Sequence, residues 1–255
     1  MALIEANNIS FSYHNTPVLH NINFELHQGD VMALVGENGC GKTTLLKILM
    51  GLYASSGEIK IHSKSIKKYT RKALAKLISY VPQTHQIPFD YTVFDVVLMG
   101  RLAHISLFSN YSLKDKNIAL ACLEKVGMAH LTNRIYSQIS GGQRQLAFIA
   151  RALAQESKII FMDEPVTGLD YGNQLKLLTF LKELSTQGYT FVQTTHYPDH
   201  ALYASNKVMM LQRGKVLDTG DVAAKLTPKN IKALYDVDVE IIARENGYKY
   251  CIPYM

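Results

Sequence analysis

The sequence predicts an α/β protein, with a mainly parallel sheet covered by helices. Three observations carry that expectation. Short apolar, β-branched runs at Val31–Val35, Lys158–Met162 and Thr190–Thr194 read as buried strands. Helical periodicity stands between them, with Leu45, Leu46, Ile48 and Leu49 following Lys42 and a second helix over Asn173–Leu184. Gly51 and Gly188 stand where those helices must stop.

The remaining elements follow in order. Leu3–Ala6, Ile9–Tyr13 and Ile22–Leu26 alternate like half-buried strands, and Gly57–Ile61 reads as a strand leaving a turn. The middle, about 88–153, is helical in pattern; Leu120, Leu123 and Glu124 fit a helix that Gly127 ends. Val208–Leu211 and Val216–Asp218 form a late hairpin about Arg213 and Gly214. The expected division is a domain over 1–227, with the helical middle inserted in it, and a short appendage over 228–255.

Composition narrows the class. A hydrophobic fraction of 47% and a charged fraction of 19% describe a globular protein with a sizeable core. The net charge of +6 is spread along the chain and reads as an ordinary basic surface. Cys40, Cys122 and Cys251 have no metal-ligand or CxxC spacing, which argues for a reducing compartment. No secretory signal is evident at the amino terminus, and no apolar stretch approaches the roughly 18 residues that span a bilayer. A membrane role is therefore expected to come through a partner.

Gly36–Thr44 reads GENGCGKTT and fits the phosphate-binding loop pattern, between a strand and a helix as that pattern requires. Gly36, Gly39 and Gly41 let the backbone approach phosphates, with the amides of Glu37, Asn38, Cys40 and Thr44 available to them. Lys42 can reach the β- and γ-phosphates, and the Thr43 hydroxyl can ligate Mg²⁺. The motif by itself establishes a nucleoside triphosphate ligand. Ile159–Pro165, IIFMDEP, ends a buried strand in two carboxylates. Asp163 is placed to hold Mg²⁺ through its water shell, and Glu164 to polarise an attacking water.

Ser140–Gln143 reads SGGQ and opens an amphipathic helix with Leu146, Ile149, Ala150 and Leu153 on one face. Ser140 can cap that helix, and Gly141 and Gly142 leave its first amides bare beside Gln143, a second anion-binding helix end. Two half-sites on one chain suit a head-to-tail pair in which each copy completes the other's site.

With ISGGQ between GENGCGKTT and IIFMDEP, nearly the whole chain resembles the ATP-binding subunit of an ABC transporter. The resemblance implies a P-loop NTPase fold: a RecA-like, mainly parallel core, an antiparallel β subdomain and an inserted helical subdomain. It implies ATP and Mg²⁺ as ligands. It assigns Tyr13 to stacking on adenine, Gln83 of YVPQ to Mg²⁺, the attacking water and the membrane partner, Asp170 of TGLD to the dimer interface, and His196 to the γ-phosphate. Ile139, Val166 and Cys40 depart from the usual residues without removing a catalytic group.

Residues 87–101, IPFDYTVFDVVLMGR, resemble importers of iron–siderophore, haem, cobalamin and related chelates, as do TTHYPDHA and LTPKNIKALYDVDVEII. The implied partners are a second copy, two integral-membrane permease subunits and, indirectly, a substrate-binding protein; no nucleic acid is expected. The implied location is peripheral, on the cytoplasmic face of the inner or plasma membrane. The competing expectation is a soluble ABC ATPase such as one for Fe–S cluster assembly.

Overall fold

The computed structural model describes residues 1–83, 89–106, 109–243 and 248–254. Within it, alternation of apolar and polar residues sends the first part of the chain into strands. β1 (Ile4–Tyr13) and β2 (Thr16–Leu26) pair antiparallel, with Ile4 opposite Leu26 and Tyr13 opposite Thr16. The expected break between Ala6 and Ile9 is instead a register shift within one strand, where Asn8 takes φ 56°. Such a bulge absorbs the residues that break the alternation. β3 (Val31–Val35) is buried along its whole length and runs into α1 (Lys42–Leu49), then β4 (Glu58–Ile61) and β5 (Lys64–Ser65).

The chain then enters the helical region. α2 (Arg71–Leu77) and β6 (Ile78–Val81) precede α3 (Val93–Leu98), α4 (Leu113–Lys125), α5 (Gly141–Ala154) and β7 (Ile159–Met162). α3, α4 and α5 each begin with a reciprocal capping box, from Thr92 and Asp95, Ser112 and Asp115, and Ser140 and Gln143. Two orphan amide donors are satisfied at each start, which fixes where these helices begin. α6 (Tyr171–Thr186) leads to β8 (Thr190–Thr195), α7 (Pro198–Ala204), β9 (Lys207–Gln212), β10 (Lys215–Asp221), α8 (Val222–Lys225), α9 (Pro228–Tyr235), β11 (Val239–Ala243) and β12 (Lys249–Pro253).

Contacts group these elements into two compact units, Met1–Tyr69 with Leu178–Met255, and Thr70–Leu177. The first holds an antiparallel sheet in the order β2-β1-β4-β5 and a run of strands in the order β10-β9-β3-β8. β3 is parallel to both β8 and β9, and β10 returns antiparallel through the expected hairpin, with Arg213 at φ 47° and Gly214 at φ 75°. The second unit pairs β6 parallel to β7 and carries α3, α4 and α5 packed on one another. Parallel strands and a separate antiparallel sheet match the fold class read from the sequence.

Residues 228–243 and 248–254 are packed into the first unit. Ile231 and Leu234 of α9 are buried with Ala33, Val35, Val208 and Met210, and the Cys251 amide donates to Asp199 Oδ1 at 2.7 Å. In the second unit Arg101, 4% exposed, is pinned by Asp115 Oδ1 at 2.9 Å, the Ala154 carbonyl at 2.7 Å and Glu156 at 2.7 Å. Part of the 87–101 segment is therefore structural. Ile87 and Pro88 of that segment lie outside the described residues.

Candidate nucleotide site

The phosphate loop is shaped by close approach of backbone. A Cβ at Gly36 would lie 2.2 Å from the Leu211 carbonyl oxygen and 2.8 Å from Cys40 Sγ. Gly41, at φ 108°, forms the N-cap of α1 and supplies no side chain to cap the helix start. Lys42 is buried, and its ammonium donates to the carbonyls of Gly36 at 2.6 Å and Glu37 at 2.9 Å. Those acceptors hold a cation that phosphate oxygens would bind more strongly.

Cys40 turns inward. Its side chain is 6% exposed and burial raises its thiol pKa. The loop's sulfur faces Gly36 and the core, so its chemical accessibility reports on opening of the loop.

Tyr13 stands at the end of β1 beside this loop, with its hydroxyl 3.4 Å from Thr44 Oγ1. The Thr44 hydroxyl holds the Tyr13 phenol below its ordinary pKa. The ring is 40% exposed and meets Phe11 and Tyr53 edge-on at 4.9 and 5.7 Å, while Phe11 and Tyr53 stack at 5.4 Å. Three aromatic rings rather than one offer a platform for a base. Phe11 lies two residues before Tyr13 on β1 and shares its face, whereas Tyr53 arrives from beyond α1 and was not legible as a partner.

His196 follows β8, and Val35 pairs with Thr195, so the phosphate loop and His196 leave one edge of the first unit. The His196 ring lies 4.0 Å from that of Tyr197. His200, within α7, shares its Nδ1 with Thr195 Oγ1 at 3.2 Å, and burial lowers its pKa.

The second unit gathers the acidic residues. β6 and β7 end side by side, with Val81 opposite Met162, and both project their next residues from one edge. Asp163 is buried, and Tyr80 donates to its Oδ2 at 3.4 Å. Burial pushes the Tyr80 phenol up, so it stays a donor. Glu164 adopts φ 47°, a strained conformation for a side chain of this size. Its Oε2 accepts from Gln83 Nε2 at 2.8 Å and from the Thr167 hydroxyl at 3.1 Å. Gln83 and Glu164 are thus brought together; Tyr80 and Thr167 add donors that the sequence did not reveal. Residues 84–88 beyond Gln83 lie outside the described residues.

The SGGQ segment is an exposed helix start. Gln143 N–H donates to Ser140 Oγ at 3.2 Å, and Ser140 N–H donates to Gln143 Oε1 at 3.0 Å. The Gln143 amide is therefore occupied by the cap rather than bare. Gly142 lies against Leu169 of TGLD, and nothing stands within 4 Å of a Cβ at Gly141. Asp170 caps α6, accepting the Asn173 amide at 2.9 Å, and that bond holds its carboxyl below the usual range. The helix-cap role of Asp170 is thus present, and its carboxylate remains at the surface.

Residues 19–167 match the family model described as ABC transporter. This chain belongs to the ABC transporter family. It is an ATP-binding domain of the kind that hydrolyses ATP. This ABC ATPase is 37% identical to the molybdate import ATP-binding protein MolC of Haemophilus influenzae, over 91% of the chain and 87% of the relative. It is 33% identical to the iron(3+)-hydroxamate import ATP-binding protein FhuC of Bacillus subtilis, over 100% and 96%. A solved transporter assigned to the metal-chelate type, in an inward-facing conformation, superposes with TM-score 0.88 and 34% identity, covering 100% of this chain and 98% of that one. Among the described residues of the ABC ATPase, no helix is long and apolar enough to cross a membrane.

Proposed function

We propose that two copies of this ABC ATPase pair head to tail beneath two permease subunits, at the cytoplasmic face of the membrane. There they drive uptake of a metal chelate or a related oxyanion. The observation that carries this reading is near full-length likeness to ATPases named for molybdate import, iron(3+)-hydroxamate import and manganese transport. A substrate-binding protein would deliver the solute to the permeases.

ATP would lie with its base on Tyr13 and its phosphates in the Gly36–Thr44 loop. Lys42 would leave the Gly36 and Glu37 carbonyls for the β- and γ-phosphates. Mg²⁺, when bound, neutralises phosphate charge; the Thr43 hydroxyl and the buried Asp163 carboxylate are the hard oxygen donors it prefers. Glu164 would hold the attacking water, and His196 the γ-phosphate. Ser140–Gln143 and Asp170 would face the nucleotide and interface of the second copy.

Gln83 supplies the coupling step. Its amide occupies one oxygen of Glu164, so a permease that shifts the Gln83 loop changes the donor set of the residue that handles water. The permease is expected to dock between that loop and Val93–Arg101. Affinity purification of the tagged Glu164→Gln chain from native membranes with ATP tests the assembly. Recovery of an integral-membrane permease supports import; recovery of soluble cluster-assembly proteins instead would overturn it.

A further inference from the structure

Tyr13 is the last residue of β1 before the turn into β2, and its ring is 40% exposed. A ring in such a place changes rotamer readily unless its neighbours hold it. Its hydroxyl contact with Thr44 Oγ1, in the first turn of α1, is long at 3.4 Å. Two half-buried rings supply the rest. Phe11 and Tyr53 lie within 10° of parallel, and Tyr13 stands across both, at 88° to Phe11 and 84° to Tyr53. Edge-to-face contacts of this kind are attractive and directional.

Tyr53 is anchored independently of Tyr13. The chain leaves α1 with the Leu52 amide donating to the Lys47 carbonyl at 2.9 Å. Three residues after Tyr53, the Ser56 amide donates to the Ser10 carbonyl at 3.1 Å, and the Ser10 amide donates to Ser56 Oγ at 3.2 Å. Gly57 then lies so close to β1 that a Cβ there would be 2.3 Å from the Asn7 carbonyl oxygen. The Lys47 ammonium stands 5.8 Å from the centre of the Tyr53 ring. Tyr53 is thus tied to α1 on one side and to β1 on the other, the two elements that Tyr13 itself joins.

We propose that Tyr53 is a positioning residue for the nucleotide base: backed by Phe11, it holds the Tyr13 ring in one orientation before ATP arrives. The base then stacks on a ring whose ordering cost is already met. The segment between α1 and β4 thereby contributes to recognition of the base, while the loop at the other end of α1 takes the phosphates. This inference rests on the reading that Tyr13 stacks on adenine.

The test separates the base from the phosphates. Unlabelled ATP and inorganic tripolyphosphate are titrated as competitors of N-methylanthraniloyl-ATP on the full chain, for wild type, Tyr13→Ala, Tyr53→Leu and Tyr53→Phe. Tyr53→Leu should lower ATP affinity about three- to tenfold, the worth of an aromatic pair, and leave tripolyphosphate affinity at the wild-type value. Tyr53→Phe keeps the ring and should restore ATP affinity. Unchanged ATP affinity in Tyr53→Leu overturns the proposal. So do equal losses for ATP and tripolyphosphate, since they mark a ring that only supports the fold around the phosphate loop. Tyr13→Ala identifies which idea has failed. If it loses the preference for ATP over tripolyphosphate and Tyr53→Leu keeps it, the proposal alone is wrong. If Tyr13→Ala keeps that preference, the base does not rest on Tyr13, and the stacking reading fails with the proposal.

Discussion

Two helix starts in this protein have similar sequence logic and opposite construction. The start of α1 is enclosed. Gly36 is wedged against the Leu211 carbonyl and Cys40, Lys42 is buried, and the N-cap Gly41 offers no side chain to the first amides. The start of α5 is open. Ser140 and Gly141 are exposed, space surrounds Gly141, and a capping box already satisfies part of the first turn. A helix end that binds its own ligand must stay uncapped and be shaped by neighbouring backbone. One that meets a ligand carried by another molecule must be stable alone and accessible. The comparison explains why Ser140–Gln143 makes chemical sense as a surface for a second copy.

The largest expected effect lies outside both starts. Glu164→Gln should cut turnover by roughly two to four orders of magnitude, as loss of a general base does, while nucleotide still binds. An ATP-dependent dimer should then accumulate by size-exclusion chromatography. Near-normal turnover would remove Glu164 from the chemistry.

The glycines separate the two starts most directly. Gly36→Ala forces a Cβ onto the Leu211 carbonyl at 2.2 Å. It should cost about 1–3 kcal/mol of stability and displace the loop, weakening nucleotide binding in a single chain. Gly141→Ala meets open space, so thermal melting and single-chain nucleotide affinity should match wild type while the ATP-dependent dimer is lost. If both variants lose single-chain binding, the proposed division of labour is wrong.

Ser140→Ala removes half of the capping box and should lower stability by about 1 kcal/mol in denaturant unfolding. No corresponding side chain exists at α1 to remove. The smallest effect concerns acid. The Ser112 hydroxyl and Arg101 hold Asp115 down at about 2, from an ordinary 3.8. Its stabilisation is present above the higher value and is lost as pH falls from 3.8 through about 2. Asp115→Asn should flatten that limb of a stability–pH curve; an unchanged slope would show that Asp115 contributes nothing there.

Legibility in the sequence followed how local each constraint was. Lys42, Ser140 and the Asp163–Glu164 pair were readable because a strand end, a tight loop and a helix start require particular residues within a few positions. The buried strands were readable from unbroken apolar runs. α2 and α7, seven residues each, were not, since helices of that length depend on packing rather than on their own periodicity. Tyr53 beside Tyr13 and Tyr80 beside Asp163 were equally hidden. A tyrosine on an amphipathic element has an ordinary core reading until its neighbour is known.

The fold class, the ATP-binding loop, the acidic strand end and the second helix start were legible from the chain alone, because each is a short-range pattern with fixed chemistry. Packing across the fold set the rest: Cys40 points into the core, Gln83 holds Glu164, and α9 packs against Val35 at the end of β3. Those arrangements join residues tens to almost two hundred positions apart. Burial and strand register bring them together, and neither can be read from spacing along the chain.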